Sequence, residues 1–284
     1  MVRFNNLIHL KGTYMRYILL IALIFSSVAD AKRYIIPNDK DVLTAHNTHA
    51  ETDSLYPFEI DVLVWNIYKG YNKTWKKDFE DLTRDKEILL LQEVYAQDKM
   101  FNVFERMVEF EFWFARSWID TKDNNTASGV STASIVKTTL KKWQRSYYRE
   151  PIIKTPKVTL FTRYKLTGHD KELLVGNIHA INFVRYYKLK HMLVEAAKVI
   201  KNHQGPVLFA GDFNTWTKTK LGVMNGIFKN LAMKRVKFDH DIRKRFLGKV
   251  LDHAWIKELK VISSRIPNVK GSDHPPLELR LSLL

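Results

Sequence analysis

Pro206-Val207-Leu208-Phe209-Ala210-Gly211-Asp212-Phe213-Asn214-Thr215 is an apolar run that stops abruptly at polar residues. The run reads as a buried strand, and its end as the point where the chain leaves the core. In an extended chain Asp212 and Asn214, two residues apart, point to the same side. Groups at such a strand end meet solvent while the core holds them rigidly. The rival reading is an Asx turn without chemistry.

Four other segments have the same form. Val62-Leu63-Val64-Trp65-Asn66, Ile88-Leu89-Leu90-Leu91-Gln92-Glu93 and Leu173-Leu174-Val175-Gly176-Asn177-Ile178-His179 are apolar runs ending in Asn, Glu and His. Ser272-Asp273-His274 precedes a short apolar run, Pro276-Leu277-Glu278-Leu279. A fifth candidate, Val250-Leu251-Asp252-His253-Ala254-Trp255-Ile256, carries an acid inside an apolar run. Tips that carry only Asn, Glu, His and Asp predict one convergent site.

The helical pattern is as informative as the strands. Tyr187 to Ile200 places Leu189, Met192, Leu193, Ala196, Ala197 and Ile200 on one face, and Gly205-Pro206 stops it before the next strand. Trp75 to Leu82, Lys99 to Val108 and Leu221 to Leu231 carry the same period. Lys157 to Tyr164 and Leu173 to Ile178 flank Thr167-Gly168-His169-Asp170, the signature of an antiparallel hairpin. Strands interleaved with helices predict an α/β fold, and antiparallel pairs suit a layered sandwich more than a wholly parallel sheet.

At 284 residues the chain is long enough for one large domain, and 45% hydrophobic with 27% charged residues reads as globular. A formal net charge of +16 favours polyanionic partners: nucleic acid, an anionic lipid surface or a phosphorylated substrate. With no cysteine, a thiolate nucleophile, a cysteine zinc site and a disulfide are excluded. Neither a Gly-rich triphosphate cradle nor a Gly-x-Ser-x-Gly elbow is found.

Met15-Arg16, the apolar Tyr17 to Phe25 and Ala29-Asp30-Ala31 have the anatomy of a secretory signal peptide. The expected organisation is a signal segment over 1–31 (Met15 an alternative start), an extended arm over 32–57 and one domain over 58–284. The expected location is periplasmic or secreted, and the expected state a monomer.

The residue types suggest roles. Glu93 is a hard oxygen ligand which, with Asn66 and Asp273, suits a divalent cation that keeps most of its waters. His274 beside Asp273, with Asp252 remote in sequence, suits a base and its orienter; Asp-His before Pro275-Pro276 also suits a plain turn. His179 suits a donor to a phosphoryl oxygen, with Asn182 beside the same oxygens, or else a core histidine. Asp212 and Asn214 suit the positioning of a water and a phosphate oxygen. His253, facing the opposite side of its strand from Asp252, is read as a core histidine. Lys137, Lys141, Lys142, Trp143 and Arg145 mix charge with an aromatic ring, as a phosphate-backbone surface does. Arg185, Lys188 and Lys190 follow His179 closely enough to flank the site.

Taken in order, Trp65-Asn66, Gln92-Glu93, Asn177-Ile178-His179, Gly211-Asp212-Phe213-Asn214, Leu251-Asp252 and Ser272-Asp273-His274 resemble the endonuclease/exonuclease/phosphatase superfamily, the deoxyribonuclease I-like fold. The resemblance runs from about residue 60 to the C-terminus. Leu63 to Lys69 and Asn177 to Phe183 look closest to a little-characterised bacterial branch. It implies a two-sheet, four-layer α/β sandwich with the site at one edge. It implies Mg2+ or Mn2+ at Glu93, helped by Asn66 and Asp273. It implies that His274, oriented by Asp252, activates water, and that His179, Asp212 and Asn214 hold the phosphate, with Asn182 and Arg185 binding substrate. Asn177-Ile178-His179 stands where the abasic-site repair branch has Asn-x-Tyr-x-Pro-Asn. That leans towards the His-bearing branches: secreted nucleases, sphingomyelinases and toxin-type nucleases or phosphatases. The expected activity is a metal-dependent phosphodiesterase, most simply a nuclease. A phospholipid or inositol-phosphate hydrolase and a non-catalytic phosphate-binding module are the alternatives.

Overall fold

A computed structural model describes residues 33–284; the leader expected over 1–31 lies outside the described residues. The expected two-sheet α/β sandwich is what forms. The chain opens with β1 (Tyr34–Ile35), β2 (Leu43–Asn47), β3 (Ile60–Asn66), β4 (Ile88–Tyr95), β5 (Glu111–Asp120) and β6 (Thr126–Ser134). The helices α1 (Trp75–Thr83) and α2 (Asp98–Phe104) interrupt them. A second group follows: β7 (Leu140–Arg145), β8 (Val158–Leu166), β9 (His169–His179), α3 (Tyr186–Lys201), β10 (Val207–Asp212), α4 (Lys218–Lys229) and β11 (Lys234–Arg235). The chain closes with β12 (Arg245–Phe246), β13 (Lys249–Val250), β14 (Asp252–Lys257), β15 (Leu259–Arg265) and β16 (Leu277–Leu283).

One sheet has the order β1-β5-β6-β4-β3-β16-β15, with β2 also on β5, and the other the order β11-β14-β10-β9-β8-β7. Side chains alternate across each strand. In β3, Val62 and Val64 therefore face the space between the sheets, where they join Leu90, Leu173, Val175, Leu208 and Ile256. Leu63 and Trp65 face outward, onto Trp75 and Phe79 of α1 and Met100 and Phe104 of α2. On the far side Phe209 and Ile178 pack against Leu189, Met192 and Leu193 of α3 and Phe228 of α4. Helix, sheet, sheet, helix are the four layers.

The details follow local chemistry. The predicted hairpin is β8–β9, closed at Gly168 with φ 75. Helix α2 ends at Phe104, short of the expected Val108; Met107 donates its backbone N–H to Phe104 O and reaches the core from a turn. Within the segment expected as an extended arm, β1 and β2 pair antiparallel with β5.

Topology alone gathers the polar tips. β3 and β4 run parallel, as do β9 and β10, so Asn66, Gln92, His179 and Asp212 end at one edge. β14 and β16 run antiparallel to their neighbours, so their starts, at Asp252 and just after His274, lie at that edge too.

Candidate active site

His179, Asp212 and Asp252 stand in register across three adjacent strands, which puts their side chains in one row. Asp212 and Asp252 are 2% and 4% exposed, so two carboxylates lie buried one strand spacing apart. Burial and the neighbouring Asp252 push the Asp212 carboxyl up to about 7. Burial also holds His179 well below its usual range, helped by the cations Lys157 and Lys69, so this imidazole is neutral. Its Nε2 lies 3.7 Å from Asp212 Oδ2 and 3.9 Å from Glu93 Oε1, aimed between them.

Glu93 reaches the site through a β-bulge. The register of β4 on β6 shifts between Leu91 and Val94, and Glu93 has φ 54. The extra residue turns the carboxylate out of the sheet's alternation and into the cavity. Asn66 then ties the two halves together: its Nδ2 donates to Glu93 Oε1 and to Asp212 Oδ2, each at 3.3 Å. Its Oδ1 accepts from Tyr68 N at 3.1 Å, which fixes the amide's orientation. In this arrangement Asn66 positions both carboxylates through its nitrogen and directs its oxygen to the backbone.

Asn214 departs from the extended geometry expected for it. Its φ is 51, and its backbone N–H donates to Asp212 Oδ1 at 2.9 Å. The segment is thus an Asx turn and part of the site at once, because the turn orients Asp212. The Asn214 amide donates to Ala180 O at 2.9 Å.

His274 is held at both ends. Its Nδ1 lies 2.8 Å from Asp252 Oδ2 and 3.1 Å from Oδ1. Its backbone is fixed by Trp65 Nε1 donating to His274 O, and by Ser272 Oγ accepting from His274 N. Burial opposes a charge on His274, but Asp252, Asp212 and Asp273 outweigh it and raise the imidazole to about 10. Nδ1 is engaged, so Nε2 is the nitrogen free for proton exchange.

A cavity of about 260 Å³ joins these groups, lined by Glu93, His179, Asn182, Asp212, Asn214 and His274. Asp273 stands at its rim, with its carboxylate accepting from Lys244 Nζ at 2.8 Å. Arg185 is exposed on the residue before α3 and does not line the cavity. His253 is a core histidine as read, fully buried with Nε2 2.7 Å from Thr215 Oγ1. Of the basic cluster, Lys141 lies 4.2 Å from the Trp113 ring centroid and Arg145 pairs with Asp39, so both are spent within the chain.

Several contributors escape a strand-tip reading. Tyr68, Trp216, Lys244 and Phe246 line the cavity from loops and a short ribbon. Trp216 lies two residues past Asn214, the one sequence signal for it. Gln92 and Asn177 form a buried bridge between the sheets: Gln92 Nε2 donates to Asn177 Oδ1 at 2.7 Å. The Asn177 amide donates to Ser131 O and Leu91 O.

The residues present suit a hard divalent cation. Ligand atoms of Asp212, Asp252 and His274 come within 4.8 Å of one another, and the Glu93 carboxylate lines the same cavity as Asp212 and His274. Burial and the charges of Asp252 and Glu93 keep the Asp212 carboxyl raised even though the His274 cation beside it pulls the other way. Oxygen donors without a thiolate are the donor set of magnesium-type ions.

The profile of the Endonuclease/Exonuclease/phosphatase family matches residues 63–274, the span from β3 to His274. The UPF0294 protein of Vibrio campbellii is 33% identical over 231 residues, 79% of this chain and 78% of that protein. Among solved structures, a mannosyl-6-phosphatase of Bacteroides thetaiotaomicron superposes with a TM-score of 0.62 at 14% identity, over 79% of this chain and 100% of that one. The human Nocturnin catalytic domain, with a bound sulfate anion, superposes with a TM-score of 0.60 at 17% identity, over 81% and 96%.

Proposed function

The chain belongs to the Endonuclease/Exonuclease/phosphatase family, and on that premise we propose that it hydrolyses phosphodiesters of nucleic acid with an activated water and a divalent cation. The observation that carries this reading is the His274–Asp252 pair facing, across one cavity, Glu93, His179 and Asp212. Asp252 fixes the tautomer of His274 and stabilises the imidazolium that forms when Nε2 takes a proton from water. Neutral His179 donates to a non-bridging phosphoryl oxygen, with the Asn182 amide beside it. Asp212, oriented by Asn214 N and Asn66, orients the water. Glu93 and Asp212 offer the oxygens for a magnesium or manganese ion, with Asp273 at the rim. Such an ion would polarise the phosphoryl oxygen and offset the carboxylate charge that keeps His274 protonated.

The basic chain favours a polyanion, and the leader-like stretch over 15–31 favours an exported enzyme. The test incubates the protein with plasmid DNA and RNA, with magnesium or with EDTA, and runs sphingomyelin vesicles and inositol phosphates in parallel. We expect cleavage of nucleic acid with magnesium only, reduced by about 10²- to 10⁴-fold in His274→Ala. Release from lipid or inositol substrates without nucleic-acid cleavage would transfer the site to the other substrate class.

A further inference from the structure

Three aromatic rings stand on one wall of the catalytic cavity, and the hydrolytic step uses none of them. Phe183, Trp216 and Phe246 all line it. Phe183 and Phe246 are 56% and 43% exposed. Ring centroids lie 5.6 Å apart for Trp216–Phe246, 6.2 Å for Phe183–Trp216 and 6.3 Å for Phe183–Phe246. The Trp216 and Phe183 planes are each near perpendicular to Phe246. Edge-to-face is a preferred aromatic geometry, and the exposure of Phe183 and Phe246 leaves part of each ring open to solvent.

The cluster is built. One side-chain oxygen, Asn182 Oδ1, accepts from Trp216 Nε1 at 2.9 Å and from Phe183 N at 2.7 Å. The second bond accompanies the left-handed backbone of Phe183, φ 51. Behind Trp216 sits Lys220, 2% exposed, with Nζ 4.1 Å from the ring centroid and no hydrogen-bond partner. A desolvated cation against a ring face holds that ring in place. Phe246 comes from the β12–β13 ribbon, whose turn at Leu247-Gly248 has φ 47 and 73. Two of its other residues, Arg245 and Lys249, are cations. Two exposed rings packed on the anchored Trp216, on the wall of the catalytic cavity, serve no core.

We propose that this aromatic wall stacks an unpaired nucleobase next to the scissile phosphate, which makes single-stranded nucleic acid the preferred substrate. The inference rests on the phosphodiesterase reading above and names the substrate class for that site. Stacking on aromatic rings accepts any base, because every base has a π face. A base inside a duplex has both faces covered and cannot use the wall. The cations of the ribbon suit the adjoining phosphates, and the edge-to-face notch suits a flat ring better than an acyl chain.

A dinucleoside monophosphate has one cleavable bond, so its two bases can be removed one at a time. With magnesium present, removal of one of the two bases is expected to raise the wild-type KM by about 10- to 100-fold. Phe246→Ala should cause a similar rise with the complete dinucleotide and little further change with the base-free one, because the two losses are the same contact. Phe183→Ala should behave alike, and thermal melting reads whether each variant keeps the fold. A longer single strand should be cut at least about tenfold more efficiently than the same sequence as a duplex. An equal KM with and without the base, or an equal Phe246→Ala effect on both substrates, would overturn the proposal while leaving the phosphodiesterase reading standing. No cleavage of any nucleic acid would overturn both, and vesicle hydrolysis lost in Phe246→Ala would assign the wall to lipid.

Discussion

Asp212 carries the electrostatic burden of the site. It is buried, faces Asp252 and Glu93, and its carboxyl is held up at about 7 against an ordinary 3.8. The folded protein therefore keeps a proton there that the unfolded chain releases, and stability without metal falls as pH rises from about 4 to about 7. A divalent cation removes that penalty by taking the proton's place. Magnesium should raise the melting temperature strongly at pH 8 and weakly at pH 5, where it competes with the proton. At a hundredfold excess over Kd the gain is about 2.7 kcal/mol, and each kcal/mol is worth about 2–4 °C in a chain of this size. Scanning fluorimetry at the two pH values, with magnesium and then EDTA, measures it; an equal shift at both would rule out Asp212 as the group displaced. Asp212→Asn should lose most of the pH 8 shift.

Among the elements, β10 shows how tightly the backbone holds that carboxylate. Gly211 has φ 139, and a Cβ there would lie 2.1 Å from Ile178 O on β9. Neither the conformation nor the space admits a side chain. Gly168, at φ 75 in the β8–β9 turn, also has a positive φ but has nothing within 4 Å of its Cβ position. Gly211→Ala should thus cost at least about 2 kcal/mol, and Gly168→Ala about 1 kcal/mol from backbone strain alone. Thermal melts of the two variants separate crowding from strain; equal losses would mean that β9 yields to the new methyl group. The same elements mark what could be read from sequence. Strands β3, β4, β9 and β10 and helix α3 carry their periods openly, and their polar ends named Asn66, Glu93, His179 and Asp212. The bulge at Glu93 was not legible, and the turn at Asn214 was legible only as a rival to the site, not as the part of it that orients Asp212. Both are single residues in the left-handed region whose conformation is set by partners far along the chain: β6 for the bulge, and Ala180 for Asn214. The Gln92–Asn177 bridge was hidden for the same reason, being two polar side chains within apolar runs until the sheets face each other. Lys244 and Phe246 belong to a ribbon of two-residue strands, too short for any period.

For the whole molecule the question is which of its many cations meet the substrate. A net charge of +16 speeds encounter with any polyanion, but affinity depends on phosphates actually neutralised. On β7, two strands from the His179-bearing β9, Lys141 and Arg145 are occupied by Trp113 and Asp39, which leaves Lys142 and the nearby Lys137 exposed. Beside the cavity, Arg245 and Lys249 flank Phe246; Arg245 shares one nitrogen with Asp241 at 3.2 Å but stays exposed, and Lys244 lies at the rim with Asp273. Single-strand binding loses about 0.7 in the slope of log K against log salt for each phosphate contact. Three to five contacts around one cavity predict a slope of about −2 to −4. Binding of a fluorescent single strand to His274→Ala, titrated with salt, gives the slope without cleavage. Reversing Arg245 and Lys249 to Glu should flatten it by about 1.4, the share of two contacts. Reversing Lys137 and Lys142 changes net charge by the same amount, so it should slow association at low salt yet leave the slope nearly unchanged. If both pairs flatten the slope equally, the strand runs across β7 as well, and the basic edge of the second sheet is part of the binding track.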